Sequence, residues 1–435
     1  MALTKTLGPL LLPILLAVLF ALSAFQVNGL GRVASPGAPS RAQMGMVSAA
    51  KPATHRFGIS RRSASHDGPA LTLAPRRAIS LAPAAPNRIV GYYGSWYKYC
   101  NTCLGLKQLQ WSKLSAFIYS FADETNDACS LADIKNDARL DFPYLRRVRA
   151  RYPKLQMLLS VGGATYAGGF PDAVSSQANI DLLVHNCIRL IRHRYPGIFQ
   201  GIDIDWEGPW TPQQSLEFTS LITTFRKALG PSAPLTAAVT RHYAIDWTAV
   251  SQLLSWFNVM TYDFHGSWDA HTDFNAPLNY DRSDLGVLPT ESVTAAINDM
   301  LNFGIPPAKL LLGMPFYGYG YDGVPDINHG LYQPFGSVIG SYSYIDLMRH
   351  YVGRNGFVRY PANAYSAEPW LYKSGGANGG VFINFDDPAS ALAKARLILQ
   401  DKLGGVMIWT IGDDTRNSRT SLVDVLYKEL KPIAR

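Results

Sequence analysis

The 435-residue chain has no Asn-x-Ser/Thr sequon, which removes N-linked glycosylation from its surface. Cysteine is scarce, with four residues at Cys100, Cys103, Cys129 and Cys187. A lone Cys-x-x-Cys without a second such pair or a neighbouring His pair argues against a zinc site. Cys100 is expected in a disulfide instead, with Cys103 or with Cys129 joining the bridge. No Gly-rich phosphate loop follows the first strand-like run, which counts against a doubly wound nucleotide-binding sheet. Acids are almost missing from residues 1–86, which hold nine Lys and Arg against the single Asp67. The net charge of +8 belongs to that leader, because residues 87–435 carry 31 basic and 31 acidic residues. A neutral main body offers no nucleic-acid footprint, so no nucleic-acid partner is expected.

Lys5 followed by the apolar run 7–24, with small residues at Ala21, Ser23 and Ala24, reads as a secretory signal peptide over residues 1–29. The expected location is therefore secreted, extracellular. An uncleaved membrane anchor is the alternative, although Pro9 and Pro13 interrupt the run. Residues 30–86 are rich in Ala, Pro, Ser and Arg without apolar periodicity, as in a disordered basic linker or pro-segment.

From Asn87 onward, short apolar runs alternate with helical patterns. Runs at 89–94, 116–121, 156–161, 201–205, 234–239, 256–260, 310–315 and 405–409 predict eight buried strands. Helices are expected near 143–152, 179–195, 213–229, 290–303, 389–402 and 421–431. This alternation predicts an α/β (β/α)8 TIM barrel over residues 87–435. About seventy residues separate the seventh strand from its helix, far beyond a usual connection. Residues 316–388 are expected to form a small α/β insertion domain at the barrel mouth, with a helix near 344–351 and strands at 357–360, 368–372 and 380–385.

The most unusual stretch is Gln200-Gly201-Ile202-Asp203-Ile204-Asp205-Trp206-Glu207. Alternate side chains of a strand share a face, so the three acids form a column with steps of about 6.6 Å. A solvated edge strand could carry such acids, but not with Ile, Ile and Trp behind them. Like charges this close cannot all ionise, so folding alone gives no reason to keep them. Barrel enzymes gather reactive groups at strand C-termini. That rule brings Trp96, Phe121, Ser160–Gly163, the acid column, Met260–Asp263, Tyr317 and Trp409 to one opening. Each aromatic alone is explained by core packing; their convergence on the acids is not. Glu207, last in the column, suits general acid catalysis on an ether or acetal oxygen. An ordinary retaining glycosidase needs two carboxyls on opposite sides of the bond, and one strand does not supply them. The nucleophile then has to come from the substrate. A Mg²⁺ or Ca²⁺ site on the column is the competing reading, disfavoured because one strand encloses an ion poorly. Neither a metal nor a cofactor is expected.

Gln200–Glu207, together with Leu159–Gly163, Met260–Asp263 and Gly405–Trp409, resembles the family 18 glycoside hydrolases, the chitinases, across residues 87–430. The resemblance implies substrate-assisted retaining hydrolysis of chitin or chitooligosaccharides by a monomer. It implies that Glu207 protonates the glycosidic oxygen, Asp205 orients the 2-acetamido group, Asp203 shares a proton with Asp205, and Tyr262 bonds the acetamido oxygen. Trp409 would floor the sugar at the −1 position and Met260 would line the acetamido pocket. Asp263 would contact the neighbouring sugar, and Trp96 would form a platform on the non-reducing side. Tyr92, Phe121, Gly163 and Tyr317 would line the same site. Four positions depart from the family pattern: Gln200 for the first acid, Ala164 for a Trp, Gly208 for a Tyr and Tyr319 for an Arg. Two alternatives share the resemblance: a lectin-like binder of chitin oligosaccharides, and an N-acetylglucosaminidase acting on peptidoglycan or N-glycans.

Overall fold

The computed structural model describes residues 87–124, 128–164, 167–208, 211–283 and 290–432. The expected signal peptide (1–29) and basic linker or pro-segment (30–86) lie outside the described residues. The strands are β1 (Arg88–Gly94), β2 (Ala116–Asp123), β3 (Ser130–Leu131), β4 (Gln156–Gly162), β5 (Gly201–Asp205), β6 (Leu235–Val239) and β7 (Trp256–Val259). They continue with β8 (Leu310–Pro315), β9 (Tyr317–Val324), β10 (Ser337–Ser343), β11 (Val358–Tyr360), β12 (Trp370–Lys373), β13 (Gly380–Asn384) and β14 (Gly405–Trp409). Eight of them pair in parallel in the order β1-β14-β8-β7-β6-β5-β4-β2, and β2 pairs back with β1 to close a barrel. The short β3 adds antiparallel to the end of β2.

The main helices are α1 (Phe142–Arg151), α2 (Gln177–Arg189), α3 (Pro212–Leu229), α4 (Trp247–Leu253), α5 (Val293–Asn302), α6 (Pro388–Gln400) and α7 (Leu422–Leu430). Local chemistry sets their starts. Ser176, Thr211, Asp246, Ser292, Asp387 and Ser421 each cap a helix N-terminus through the side chain. At α3, Thr211 and Gln214 form a reciprocal capping box with Pro212 in the first turn. The seven-residue α4 was not among the expected helices, because it is too short for a 3.6-residue period to repeat. No α-helix lies between β1 and β2; three short 3-10 turns, Ser95–Tyr99, Leu106–Gln108 and Trp111–Lys113, take its place.

The barrel has two apolar layers. Val90, Ala116, Ile118, Leu158, Ala238, Trp256, Leu311 and Met407 fill its interior. The opposite strand faces, including Ile202 and Ile204, pack outward with Leu183, Phe218, Leu221 and other helix residues in the main core. The insertion between β8 and α6 is a five-stranded antiparallel sheet, β10-β9-β13-β12-β11. Its core of Tyr321, Val324, Trp370, Tyr372 and Phe382 also takes Phe274 from the segment after β7. The strands expected at 357–360, 368–372 and 380–385 appear as β11–β13; β9 and β10 were not expected, and the Tyr-Gly-Tyr-Gly start of β9 lacks the apolar alternation of a strand.

A buried charge cluster fastens this sheet to the barrel. Lys394 on α6 pairs with Asp386 at 2.5 Å, both side chains fully buried. Glu368, before β12, accepts the backbone N–H groups of Asn275 and Ala276. Burial and the Asp386 charge push the Glu368 carboxyl up, to about 8. Losing the cation would leave the buried Asp386 carboxylate uncompensated, a loss of about 3–5 kcal/mol. Lys394→Met is therefore expected to lower the unfolding free energy by that amount in urea titration, whereas Arg396→Met, on an exposed pair, should change it by less than about 1 kcal/mol.

Candidate active site

The acid column forms as the period-two argument requires. Asp203 and Asp205 face the barrel interior, nearly or fully buried, while Glu207 lies two residues beyond the end of β5 and is half-buried at the mouth. Asp203 is the best-satisfied acid. Its register partners Ser160 on β4 and Thr236 on β6 lie on either side. Ser160 Oγ bonds Oδ2 at 2.7 Å and Thr236 Oγ1 bonds Oδ1 at 2.5 Å. Two further donors reach across the barrel: Tyr92 Oη to Oδ2 at 2.8 Å and Asn258 Nδ2 to Oδ1 at 3.1 Å. Burial pushes the Asp203 pKa up, and these four hydrogen bonds pull it back. The Asn258 amide N–H only donates, and the three hydroxyls can each donate to a carboxylate, the form that only accepts.

Asp205 is placed differently. Among the described residues, its buried Oδ1 has no hydrogen-bond partner. Burial, then Glu207, then Asp203 push its pKa well up. Glu207 is pushed up by burial and by Asp263, and the backbone N–H of Ala164 pulls it back. All three carboxyls are thus pushed up, Asp205 the furthest, and side-chain hydrogen bonds pull Asp203 back.

Tyr262 bounds the site opposite β5. Among the described residues, its hydroxyl has one hydrogen-bond partner, the weakly accepting Met407 thioether at 3.9 Å. Asp263 has a left-handed φ of 56°, and its N–H is held by Asn275 Oδ1 at 2.9 Å. Its Oδ1 accepts the hydroxyls of Tyr317 and Tyr319 at 2.6 and 2.7 Å. The side chain opens onto the cleft, yet surrounding protein pushes its pKa up while the two hydroxyls pull it down. Both tyrosines come from β9, so the insertion supplies one wall of the site. Trp268, edge-on to Tyr319 at 6.5 Å and strongly exposed, extends that wall.

The opposite wall is aromatic. Phe121 stacks on Trp409 at 5.5 Å, and Trp96 lies 6.3 Å from Phe121 and 6.4 Å from Trp409. Tyr92 meets Trp409 edge-on at 5.7 Å. Trp96 remains 43% exposed, which leaves it a face for a ligand. Its neighbour Tyr97 anchors this turn to the end of β14 by bonding Thr410 and Asp413. Gly162 and Gly163 take φ of 104° and 82°; a Cβ would meet the Asp205 carbonyl at 2.3 Å or the Phe121 ring at 2.5 Å. Met260 packs beside the interior cluster with Tyr262 and Trp409. All the strand-end residues read from the sequence thus lie around one opening. A separate cavity of about 540 Å³, lined by Lys154, Gln156, Arg192, Gln200 and Pro234, lies at the other end of the barrel and contains none of the acid column. There the Gln200 amide accepts the Met157 N–H at 2.7 Å, tying the start of β5 to β4 where a carboxylate was expected.

Thr236, Asn258, Trp268 and Met407 were not singled out from sequence. Asn258 carried a usable signal, because it lies two residues before Met260 and shares its inward face. Thr236 and Met407 look like ordinary strand residues. The cysteines pair as Cys100–Cys103 and Cys129–Cys187, so the first of the two expected bridges for Cys100 is the one formed.

A closed parallel barrel with a carboxylate column at its strand C-termini and an aromatic groove over it is the architecture of a barrel enzyme. The chain belongs to the glycosyl hydrolases family 18, whose profile matches residues 88–414. It is 33% identical over 301 residues to Chitinase A1 of Niallia circulans, covering 62% of this chain and 42% of that one. The chain spans about half the length of the first curated relatives it matches. Among solved structures, chitinase ChiA74 of Bacillus thuringiensis superposes with a TM-score of 0.70 at 29% identity, over 80% of this chain and 70% of that one. A family 18 N-acetylglucosaminidase of Paenibacillus barengoltzii gives 0.67 at 28% identity, over 79% and 99%.

Burial pushes several acids near the mouth up, Asp413 to about 7, Glu124 to about 7 and Asp414 to about 6. Unfolded carboxyls ionise near pH 4. The folded chain therefore holds these protons more tightly than the unfolded chain. Their contribution to stability is complete below about pH 4 and is lost as pH rises through about 6–7. Calorimetry should show the melting temperature falling between about pH 5 and pH 8, and Asp413→Asn should make that fall shallower.

Proposed function

We propose that this chain hydrolyses β-1,4 bonds of N-acetylglucosamine polymers, chitin or its oligosaccharides, by substrate-assisted catalysis with retention. The observation that carries the reading is a pair of underused polar groups facing the same opening as Glu207. Among the described residues, Asp205 has a buried oxygen without a partner, and the Tyr262 hydroxyl bonds only a thioether. A 2-acetamido group offers an N–H for the first and a carbonyl oxygen for the second. Clamped between them, that carbonyl oxygen faces the anomeric carbon.

The steps follow from these positions. Glu207, kept protonated by burial and the Asp263 charge, gives its proton to the glycosidic oxygen as the bond to the leaving sugar breaks. The acetamido oxygen attacks the anomeric carbon, forming an oxazolinium whose N–H is held by Asp205. Glu207, now a carboxylate, takes a proton from water as that water opens the ring from the side the leaving group vacated. Two displacements at one carbon return the original anomer. A protein carboxylate nucleophile has no evident source here: the column lies on one strand and its exit, and Asp263 is engaged by Tyr317 and Tyr319. Trp409 and Trp96 offer apolar faces to sugar rings, and the insertion wall deepens the cleft into a groove suited to a polymer.

Export fits the same reading, since two disulfides are stable in an oxidising compartment. Among the described residues no helix is long and apolar enough to cross a membrane.

Glu207→Gln is expected to lower kcat/KM on acetylated chitin oligomers about 10³-fold while leaving oligomer binding in place. Undiminished turnover in that variant would overturn the assignment. A fully deacetylated glucosamine oligomer should be nearly inert, and its rapid cleavage would exclude acetamido participation. The product profile, read with the anomer of the first-formed product, distinguishes a chitinase from an exo-acting N-acetylglucosaminidase.

A further inference from the structure

The hydrogen bonds around Asp203 have a direction, and it is set one strand turn away from the acid. Trp256 Nε1 donates to Asn258 Oδ1 at 3.0 Å. An indole N–H only donates, so the Asn258 amide oxygen must face Trp256 and its NH₂ must face the other way. That NH₂ bonds two atoms, Asp203 Oδ1 at 3.1 Å and Tyr92 Oη at 2.9 Å. Because Tyr92 Oη accepts from Asn258, its own proton is directed to Asp203 Oδ2. One indole thus orients two of the four donors on Asp203. The other two, Ser160 and Thr236, are hydroxyls that rotate to donate or accept.

We propose that Trp256 and Asn258 are a positioning pair that fixes Asp203 as the charged acid of the column and so sends the mobile proton to Asp205. All of these side chains are buried: Trp256, Asn258, Thr236, Ser160 and Asp203 have no exposed surface, and Tyr92 has 1%. The groups facing Asp203 come from every strand packed against it. They are Tyr92 on β1, Ser160 on β4, Asp205 on β5, Thr236 on β6 and Asn258 on β7, with Tyr262 and Glu207 above. No cation forms an ion pair with Asp203 among the described residues, so hydrogen-bond donors are what favour its charged form, while the Arg88 guanidinium lies over the Trp256 ring, 5.1 Å from its centroid. Without the indole, the Asn258 amide is free to turn over and present its oxygen to a carboxylate. Proton sharing between Asp203 and Asp205 would then become even, and Asp205 would spend less time as the protonated neighbour of Glu207.

The inference rests on the proposed glycosidase reading, but its test does not need turnover. With ¹³C in the aspartate carboxyls and Asp203 identified by Asp203→Asn, the titration of Asp203 is followed by NMR in wild type, Asn258→Leu and Trp256→Phe. The Asp203 midpoint should rise by about one pH unit in Asn258→Leu, which deletes one donor and leaves the Tyr92 proton undirected. It should rise by less in Trp256→Phe, which removes only the orienting N–H. The acid limb of kcat/KM against pH should move up in the same order. A fold defect alone would lower activity at every pH without moving that limb. If Asn258→Leu does not fold, Trp256→Phe still decides. An Asp203 midpoint unchanged from wild type in each folded variant overturns the proposal. If wild type cleaves no acetylated oligomer, the glycosidase reading fails by itself while the titration still tests the positioning pair.

Discussion

A single buried carboxylate organises the interior of this barrel. Asp203 has no exposed surface and, among the described residues, pairs with no cation; burial pushes its pKa up, and donors from four other strands converge on it to pull it back. A hydrogen bond to a charged group contributes about 1.5–3 kcal/mol, and an isolated buried carboxylate would neutralise instead. Closure of the barrel makes this possible. Neighbouring strands bring Ser160 and Thr236 alongside by register, and the far wall brings Tyr92 and Asn258 across the interior. A flat sheet with the same strands would offer the neighbours and not the far wall.

The charge on Asp203 has consequences upward along the column. Asp205 is pushed up by burial, then by Glu207 and then by Asp203. Glu207 is in turn pushed up by burial and then by Asp263. Asp263 is held by Tyr317, Tyr319 and Asn275, and the Asn275 backbone is held by Glu368. The insertion therefore helps set the electrostatics of the mouth as well as its shape. Where the family pattern leads one to expect an arginine, Tyr319 binds Asp263 with a hydroxyl and leaves its negative charge uncancelled.

Much of the fold was legible because parallel barrel strands are buried on both faces and read as short apolar runs. All eight were located within about two residues. The insertion was legible as excess length, yet β9 and β10 were not. Their glycines allow close approach to Asn384 and Tyr342, a need that appears only when the strands are paired. The acid column was the strongest signal, since three acids at alternate positions backed by Ile, Ile and Trp have no packing explanation. Thr236, Asn258 and Met407 gave little sign, because a single polar or thioether residue in an apolar run is common.

Which residues share a face was legible from the order of the residues: period two placed Asp203, Asp205 and Glu207 in one column, and strand-end position placed Trp96, Phe121, Tyr262 and Trp409 near it. Both follow from local backbone geometry, which does not depend on what lies across the barrel. How the charged form of each acid is favoured was settled by the folded barrel. That depends on donors from strands as distant in sequence as Tyr92 and Asn258, and their orientation is settled by an indole that no local pattern connects to Asp203. Proton placement is a property of closed three-dimensional networks, because each hydrogen bond constrains the direction of the next.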